Sequence, residues 1–251
     1  MKLKVFVAAC ILFCMVSLAH ADAFWRKVTW TTVDGIQMTG QYHRSRRAGA
    51  YTWVLLHGLG SIKEEWDPFA RQLARQGNGI FVYDARGHGQ SNATVSGTPL
   101  TYKDWGIAGP GSPWDAMPGD LESAVTVVHN RFEIPLARIA VGGASLGANV
   151  ALVYASRQTS VPALILLSPG LEYAGIQSQS SFQAYGKRPL FMAASPEDSY
   201  AYSSVRQLTS LRNDSNFRVA EGPGSAHGVQ MFKDTGFTHK LLQWMKTVER
   251  K

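Results

Sequence analysis

The chain has 251 residues and is 45% hydrophobic, which is enough apolar material for one sizeable core and too much for a disordered chain. Its formal net charge is +7, from 25 Lys and Arg against 18 Asp and Glu. The excess is scattered, and its densest cluster, His43 to Arg47, lacks the length and interleaved aromatics of a nucleic-acid face, so nucleic acid is set aside as a partner.

Residues 1–21 read as a secretory signal peptide. Lys2 and Lys4 supply a basic start, Val5 to Ala19 is almost wholly apolar, and Ala19 and Ala21 place small residues at a cleavage site. The apolar run is shorter than the roughly 20 residues a spanning helix needs. The competing reading is an uncleaved anchor. A cut after Ala21 removes Cys10 and Cys14, so the mature chain, 22–251, carries no disulfide and no thiol. It is expected to be secreted or periplasmic, without a stable membrane span, and keeps 23 basic and 18 acidic residues once Lys2 and Lys4 are gone.

Beyond the leader, KVTWTTVDG and IQMTGQYHR form a hairpin about Asp34-Gly35, with alternation at period two. YTWVLLHG is a buried strand. EEWDPFARQLARQG is a helix, with Trp66, Phe69 and Leu73 at helical spacing and Gly77 at its end. Then follow a strand (GIFVYD), a helix (DLESAVTVVHNRF), a strand (RIAVGG) and a helix (LGANVALVYASRQ). PALILLSPG and PLFMAAS are two further strands. SSVRQLTSLRN is a helix, NFRVAEG a last strand, and VQMFKDTGFTHKLLQWMKTVER one closing helix. Strands separated by helices predict an α/β fold: a doubly wound, mostly parallel sheet of about eight strands, with one antiparallel strand near the start. In such sheets the chemistry sits in loops at the carboxyl ends of the strands.

One of those loops is Gly142-Gly143-Ala144-Ser145-Leu146-Gly147. A serine on a sharp strand-to-helix turn needs small neighbours two residues either side, and Gly143 and Gly147 meet that need. The spacing does not match G-x-G-x-x-G, which disfavours a dinucleotide site. A serine hydroxyl needs a base, and His227, between the last strand and last helix, has the right topological place. The imidazole needs an acid, and Glu197 and Asp198 both follow a strand end. An oxyanion hole is offered by the backbone N–H of Leu146 and by that of Leu59 in the loop His57-Gly58-Leu59-Gly60. No cluster has metal-ligand spacing, and the chemistry calls for no cofactor.

HGLGS, YDARGHGQS, GGASLG, PED and GSAHG stand in an order that resembles the α/β-hydrolase superfamily over the whole mature chain. The likeness is to its small, lidless serine esterases, relatives of dienelactone hydrolase. That enzyme uses cysteine, so Ser145 argues against dienelactone chemistry. The resemblance implies Ser145 as nucleophile, His227 as base, and Leu59 with Leu146 as oxyanion donors. It favours Asp198 over Glu197, because the family's acid sits three residues after a small residue, here Ser195. Asp84 and Arg86 read as structural. The expected activity is hydrolysis of small carboxylic esters. A peptidase or thioesterase with the same triad, or a binding protein on the same scaffold, is the alternative. The 18 residues Leu171 to Arg188 allow one helix and two turns but no large cap domain. Trp105 and Trp114, in the segment Asn92 to Gly119, fit either a substrate-facing rim or a loop pinned by aromatic packing.

Overall fold

The computed structural model describes residues 24–249. The predicted signal peptide, Cys10, Cys14 and the cut after Ala21 lie outside them. Eight strands build the main sheet: β1 (Arg26–Thr31), β2 (Ile36–His43), β3 (Thr52–Leu56), β4 (Gly79–Tyr83), β5 (Ile139–Ala144), β6 (Leu164–Leu167), β7 (Leu190–Ala194) and β8 (Phe217–Glu221). Their spatial order is β1-β2-β4-β3-β5-β6-β7-β8, with a two-residue strand, Ala93–Thr94, pairing with β2. β2 runs antiparallel to both β1 and β4, and every pair from β4 to β8 is parallel. This is the doubly wound, mostly parallel sheet read from the sequence.

Six helices cover it: α1 (Asp67–Arg75), α2 (Met117–Phe132), α3 (Leu146–Arg157), α4 (Gln179–Tyr185), α5 (Ser199–Thr209) and α6 (Thr235–Val248). Alternate residues of the buried strands feed two cores. Val54 and Leu56 of β3 point into the layer with α2, α3, α4 and α5, whereas Trp53 and Leu55 join α1 and α6. The stripe Trp66, Phe69, Ala70 and Leu73 is fully buried, and sealing Phe69 and Leu73 stabilises the fold by about 2 kcal/mol each.

Two segments depart from the expected pattern. The stretch 171–188 holds a small hairpin, Glu172–Tyr173 paired with Ile176–Gln177, before the short α4. The closing segment is not one helix. A 3-10 turn covers Gly228–Lys233, and α6 starts afresh at Thr235 because the Asp234 carboxylate caps the amide of Phe237. Between β6 and β7 there is no cap domain.

Asp84 and Arg86, which follow β4, sit in buried ion pairs. Asp84 receives the Lys63 ammonium at 2.8 Å and the amides of Lys63 and Gln90, each at 2.9 Å. Arg86 pairs with Asp120 at the start of α2 and with Asp34 in the β1–β2 turn. Asp120 is pushed up to about 6 by burial, against the pull of Arg86. Together these ties fasten the first hairpin and the segment after β3 to the centre of the sheet.

Candidate active site

Ser145 sits at the point where β5 becomes α3. Its backbone is at φ 53°, ψ −122°, a region that side-chain-bearing residues avoid. The strand therefore turns into the helix within one residue. A Cβ at Gly143 would run into the backbone of Gly147, and one at Gly147 would lie 2.5 Å from the carbonyl oxygens of Leu56 and His57. The two glycines permit this closeness, as the spacing in the sequence anticipates.

The loop after β3 packs directly on the serine: a Cβ at Gly58 would lie 3.3 Å from that of Ser145. Gly58 N–H donates to Glu65 Oε1 at 3.1 Å, and Gly60 N–H donates to His88 Nε2 at 3.2 Å. Among the described residues, no acceptor meets the amide of Leu59. Leu146 opens α3, where the first amides have no partner within the helix.

His57 accepts the Ala85 amide on Nε2 at 2.9 Å, so its proton is on Nδ1 and goes to Gly58 O at 2.7 Å. Burial lowers its pKa to about 4. It is a neutral strut, with neither nitrogen free for acid–base work.

His227 differs. Its Nδ1 lies 2.7 Å from Asp198 Oδ2, leaving Nε2 as the free acceptor. The loops that carry the two residues are laced together. Ser195 Oγ donates to Ala226 O at 2.6 Å, Glu197 N–H to Gly224 O at 3.1 Å, and Asp198 N–H to Ser195 O at 3.0 Å. Next to His227, Gly228 donates its amide to Ser168 Oγ at 2.9 Å, and a Cβ on it would lie 3.1 Å from that of Ala144. The histidine loop thus abuts the residue that precedes Ser145. Glu197, the other acidic candidate, is exposed.

Two residues at this edge carry no signal in the sequence reading. Tyr173, on the small hairpin, lies near the Ser145 hydroxyl and donates to Ser168 O at 3.4 Å; burial raises its pKa to about 12, so the phenol keeps its proton. Glu65 lies beneath the Gly58 amide. Burial raises its pKa, and His227 is within its electrostatic reach. Tyrosine and glutamate at those positions follow no local pattern that marks them. Trp105 meets Trp114 edge-on at 4.6 Å, and Tyr102 stacks on His88 at 4.0 Å, so aromatic packing pins the segment 92–119. Among the described residues, no group of three or more His, Cys, Asp or Glu side chains is placed to hold a metal ion, and no helix is long and apolar enough to cross a membrane.

A strained serine on a strand-to-helix turn, at the carboxyl edge of this sheet, defines the α/β-hydrolase fold. The profile of the serine aminopeptidase family S33 matches residues 50–213, and the chain belongs to that family. Among solved structures, the Pyrococcus furiosus esterase Pf2001 superposes with a TM-score of 0.72 at 18% identity, covering 90% of this chain and 91% of that one. Acetyl xylan esterase 1 from Thermoanaerobacterium sp. gives 0.65 at 16% identity, with 89% and 83% covered. These likenesses are of fold. The uncharacterized protein YfhR of Escherichia coli O157:H7 is 28% identical over 159 residues, which cover 61% of this chain and 50% of YfhR. The chain thus spans about half the length of the curated relatives it matches.

The elbow yields a direct test. Gly147→Ala forces a methyl group against the backbone oxygens of Leu56 and His57, at the end of β3, which cannot swing aside. It is expected to cost about 3 kcal/mol of stability, read as a lower urea midpoint. An unchanged midpoint would contradict the tight turn.

Proposed function

We propose that the protein is a serine hydrolase that cleaves small carboxylic esters through an acyl-enzyme. The observation that carries this reading is the 2.7 Å Asp198–His227 contact, on loops laced to each other and seated against the Ser145 elbow. Esterases among the fold neighbours and the family's serine-hydrolase character support it.

In this mechanism Ser145 Oγ attacks the ester carbonyl while its proton passes to His227 Nε2. Asp198 holds the imidazole by its Nδ1–H and stabilises the imidazolium. The amides of Leu59 and Leu146 receive the oxyanion, and each donor of this kind is worth about 10²–10³ in rate. Collapse breaks the C–O bond, and the leaving alkoxide takes the proton from His227. Water, deprotonated by His227, then cleaves the acyl-enzyme and restores the Ser145 hydroxyl. The family's description as aminopeptidases favours a second reading, hydrolysis of short peptides by the same steps.

Ser145→Ala is expected to abolish ester hydrolysis with the fold intact, a loss on the order of 10⁶. Asp198→Asn is expected to be crippling and Glu197→Gln mild. Kinetics on p-nitrophenyl acetate, with an aminoacyl p-nitroanilide beside it, decide among these. More than a tenth of normal activity in Ser145→Ala, or the reverse ranking of the two acid variants, defeats the assignment.

Acyl-chain length is the next point. The segment 171–188 makes a hairpin and a two-turn helix, and the hairpin puts Tyr173 over the nucleophile. The methylenes of a long chain contribute about 0.8 kcal/mol each only when buried, and so short a segment supplies no cap domain to bury them. The proposal is a preference for short acyl groups, about two to six carbons, without interfacial activation. A kcat/KM that rises steadily from acetate to palmitate contradicts it.

We also propose export through residues 1–21, with a mature chain starting at Asp22. Amino-terminal sequencing of the exported protein checks this, and a retained Met1 in the membrane fraction rejects it.

A further inference from the structure

The loop after β3 presents three successive amides, those of Gly58, Leu59 and Gly60, beside the nucleophile. A glycine-rich loop of this kind has no intrinsic preference for which amide faces the substrate, because its peptide planes turn at little cost. Here two of the three are already committed. Gly58 N–H ends on Glu65 Oε1 and Gly60 N–H on His88 Nε2.

Both acceptors are themselves held. Glu65 lies in the 3-10 turn Lys63–Trp66, next to the buried Lys63–Asp84 pair, and its carboxyl also meets the Ser61 hydroxyl. His88 donates its Nδ1–H to Arg86 O at 2.8 Å and lies flat on Tyr102, with ring planes 7° apart. Its Nε2 therefore has no proton and is a fixed acceptor. The two residues approach the loop from different elements, one from the segment after β3 and the other from the turn after β4. Between them, the amide of Leu59 is left with no acceptor among the described residues, on a loop whose side-chain-free Gly58 touches Ser145.

We propose that Glu65 and His88 are positioning residues that select the Leu59 amide as the oxyanion donor by tying down the amides on either side. The inference rests on the acyl-transfer reading of Ser145. It asks nothing of the charge on Glu65, only of its oxygen as an acceptor. Burial raises the Glu65 pKa and lowers that of His88, so each site resists its charged form.

The test compares the full chain with Glu65→Gln, Glu65→Met and His88→Phe. Gln keeps an acceptor oxygen at the same reach, Met keeps the length but not the oxygen, and Phe keeps the stack on Tyr102 but not the nitrogen. Two readouts are taken: kcat and KM on p-nitrophenyl acetate, and inhibition by an alkyl trifluoromethyl ketone, whose serine adduct carries an oxyanion. Glu65→Met and His88→Phe are expected to lower kcat by about 10- to 100-fold, with KM within about threefold, and to weaken the ketone by a matching factor. Glu65→Gln is expected to keep at least about a third of kcat and of ketone affinity.

The proposal is overturned if Glu65→Met and His88→Phe bind the ketone within about threefold of the parent. It is also overturned if Glu65→Gln falls as far as Glu65→Met, because the carboxylate charge acting on His227 is then what matters. Should one variant fail to fold by its circular dichroism, the other, on a separate element, decides alone. Fluorophosphonate labelling of the parent chain checks the underlying reading separately. Absence of label on Ser145 removes the acyl-enzyme itself, whatever the loop variants do.

Discussion

The turn of β5 into α3 within a single residue is the constraint on which the functional edge depends. It places Ser145 at a backbone conformation that costs on the order of 1–3 kcal/mol. Three hydrogen bonds hold it there, from Ser145 N–H to Leu167 O at 2.8 Å and to Ser145 O from Ala148 N–H at 2.9 Å and Asn149 N–H at 3.3 Å. The larger offset is the burial of α3, which is covered over Leu146–Ala155. A helix so enclosed cannot rotate to relax its first turn. The strain is kept at the serine by the most deeply packed helix of the fold, and the hydroxyl is left facing the loops of its neighbours.

Around that point, three histidines show how partners divide one chemistry into two roles. His57 and His88 each accept a backbone amide on Nε2 and give Nδ1–H to a carbonyl. A ring used that way has no lone pair to offer a substrate, and burial lowers the pKa of both. His227 instead faces a carboxylate with Nδ1, which turns its basic nitrogen outward. The difference lies in what each ring meets. Nothing in the residue type sets it, which is why the chain position of a histidine relative to strand ends is informative where composition is not.

Much of this was legible in the sequence for the same reason. Alternation marks the β1–β2 hairpin, unbroken apolar runs mark the central strands, and glycine spacing marks the elbow, because each is a local demand of the backbone. Contacts across elements leave no such mark. Lys63 reads as a surface residue yet is 2% exposed, since its partner Asp84 is 21 positions away. Glu65 reads as an ordinary residue at a helix start. The hairpin carrying Tyr173 turns at Ala174-Gly175, where alanine takes φ 47°, a conformation usually left to Asn, Asp or Gly. With an atypical residue at the first turn position and strands only two residues long, the segment offers no alternation to read. The closing helix failed in the opposite sense: its periodicity continues through Asp234, but a carboxylate at that position is a better cap than an interior residue.

That small hairpin is held in place by the helices beside it. It is fastened at both ends by side chains that give and accept. Asn149 of α3 donates to Ile176 O at 2.8 Å and accepts from Gly170 N–H at 3.1 Å. Tyr200 of α5 accepts from Glu172 N–H at 3.0 Å and donates to Glu172 O at 2.8 Å. The tip is stopped from the other side, since a Cβ on Gly175 would meet that of Ala108 at 2.7 Å. α3 begins one residue after Ser145, and α5 one residue after Asp198. The hairpin beside Ser145 is therefore pinned to the same two helices that begin next to Ser145 and Asp198. A segment tethered in that way cannot swing open without disturbing the elbow, so the hairpin is a fixed wall and not a moving lid.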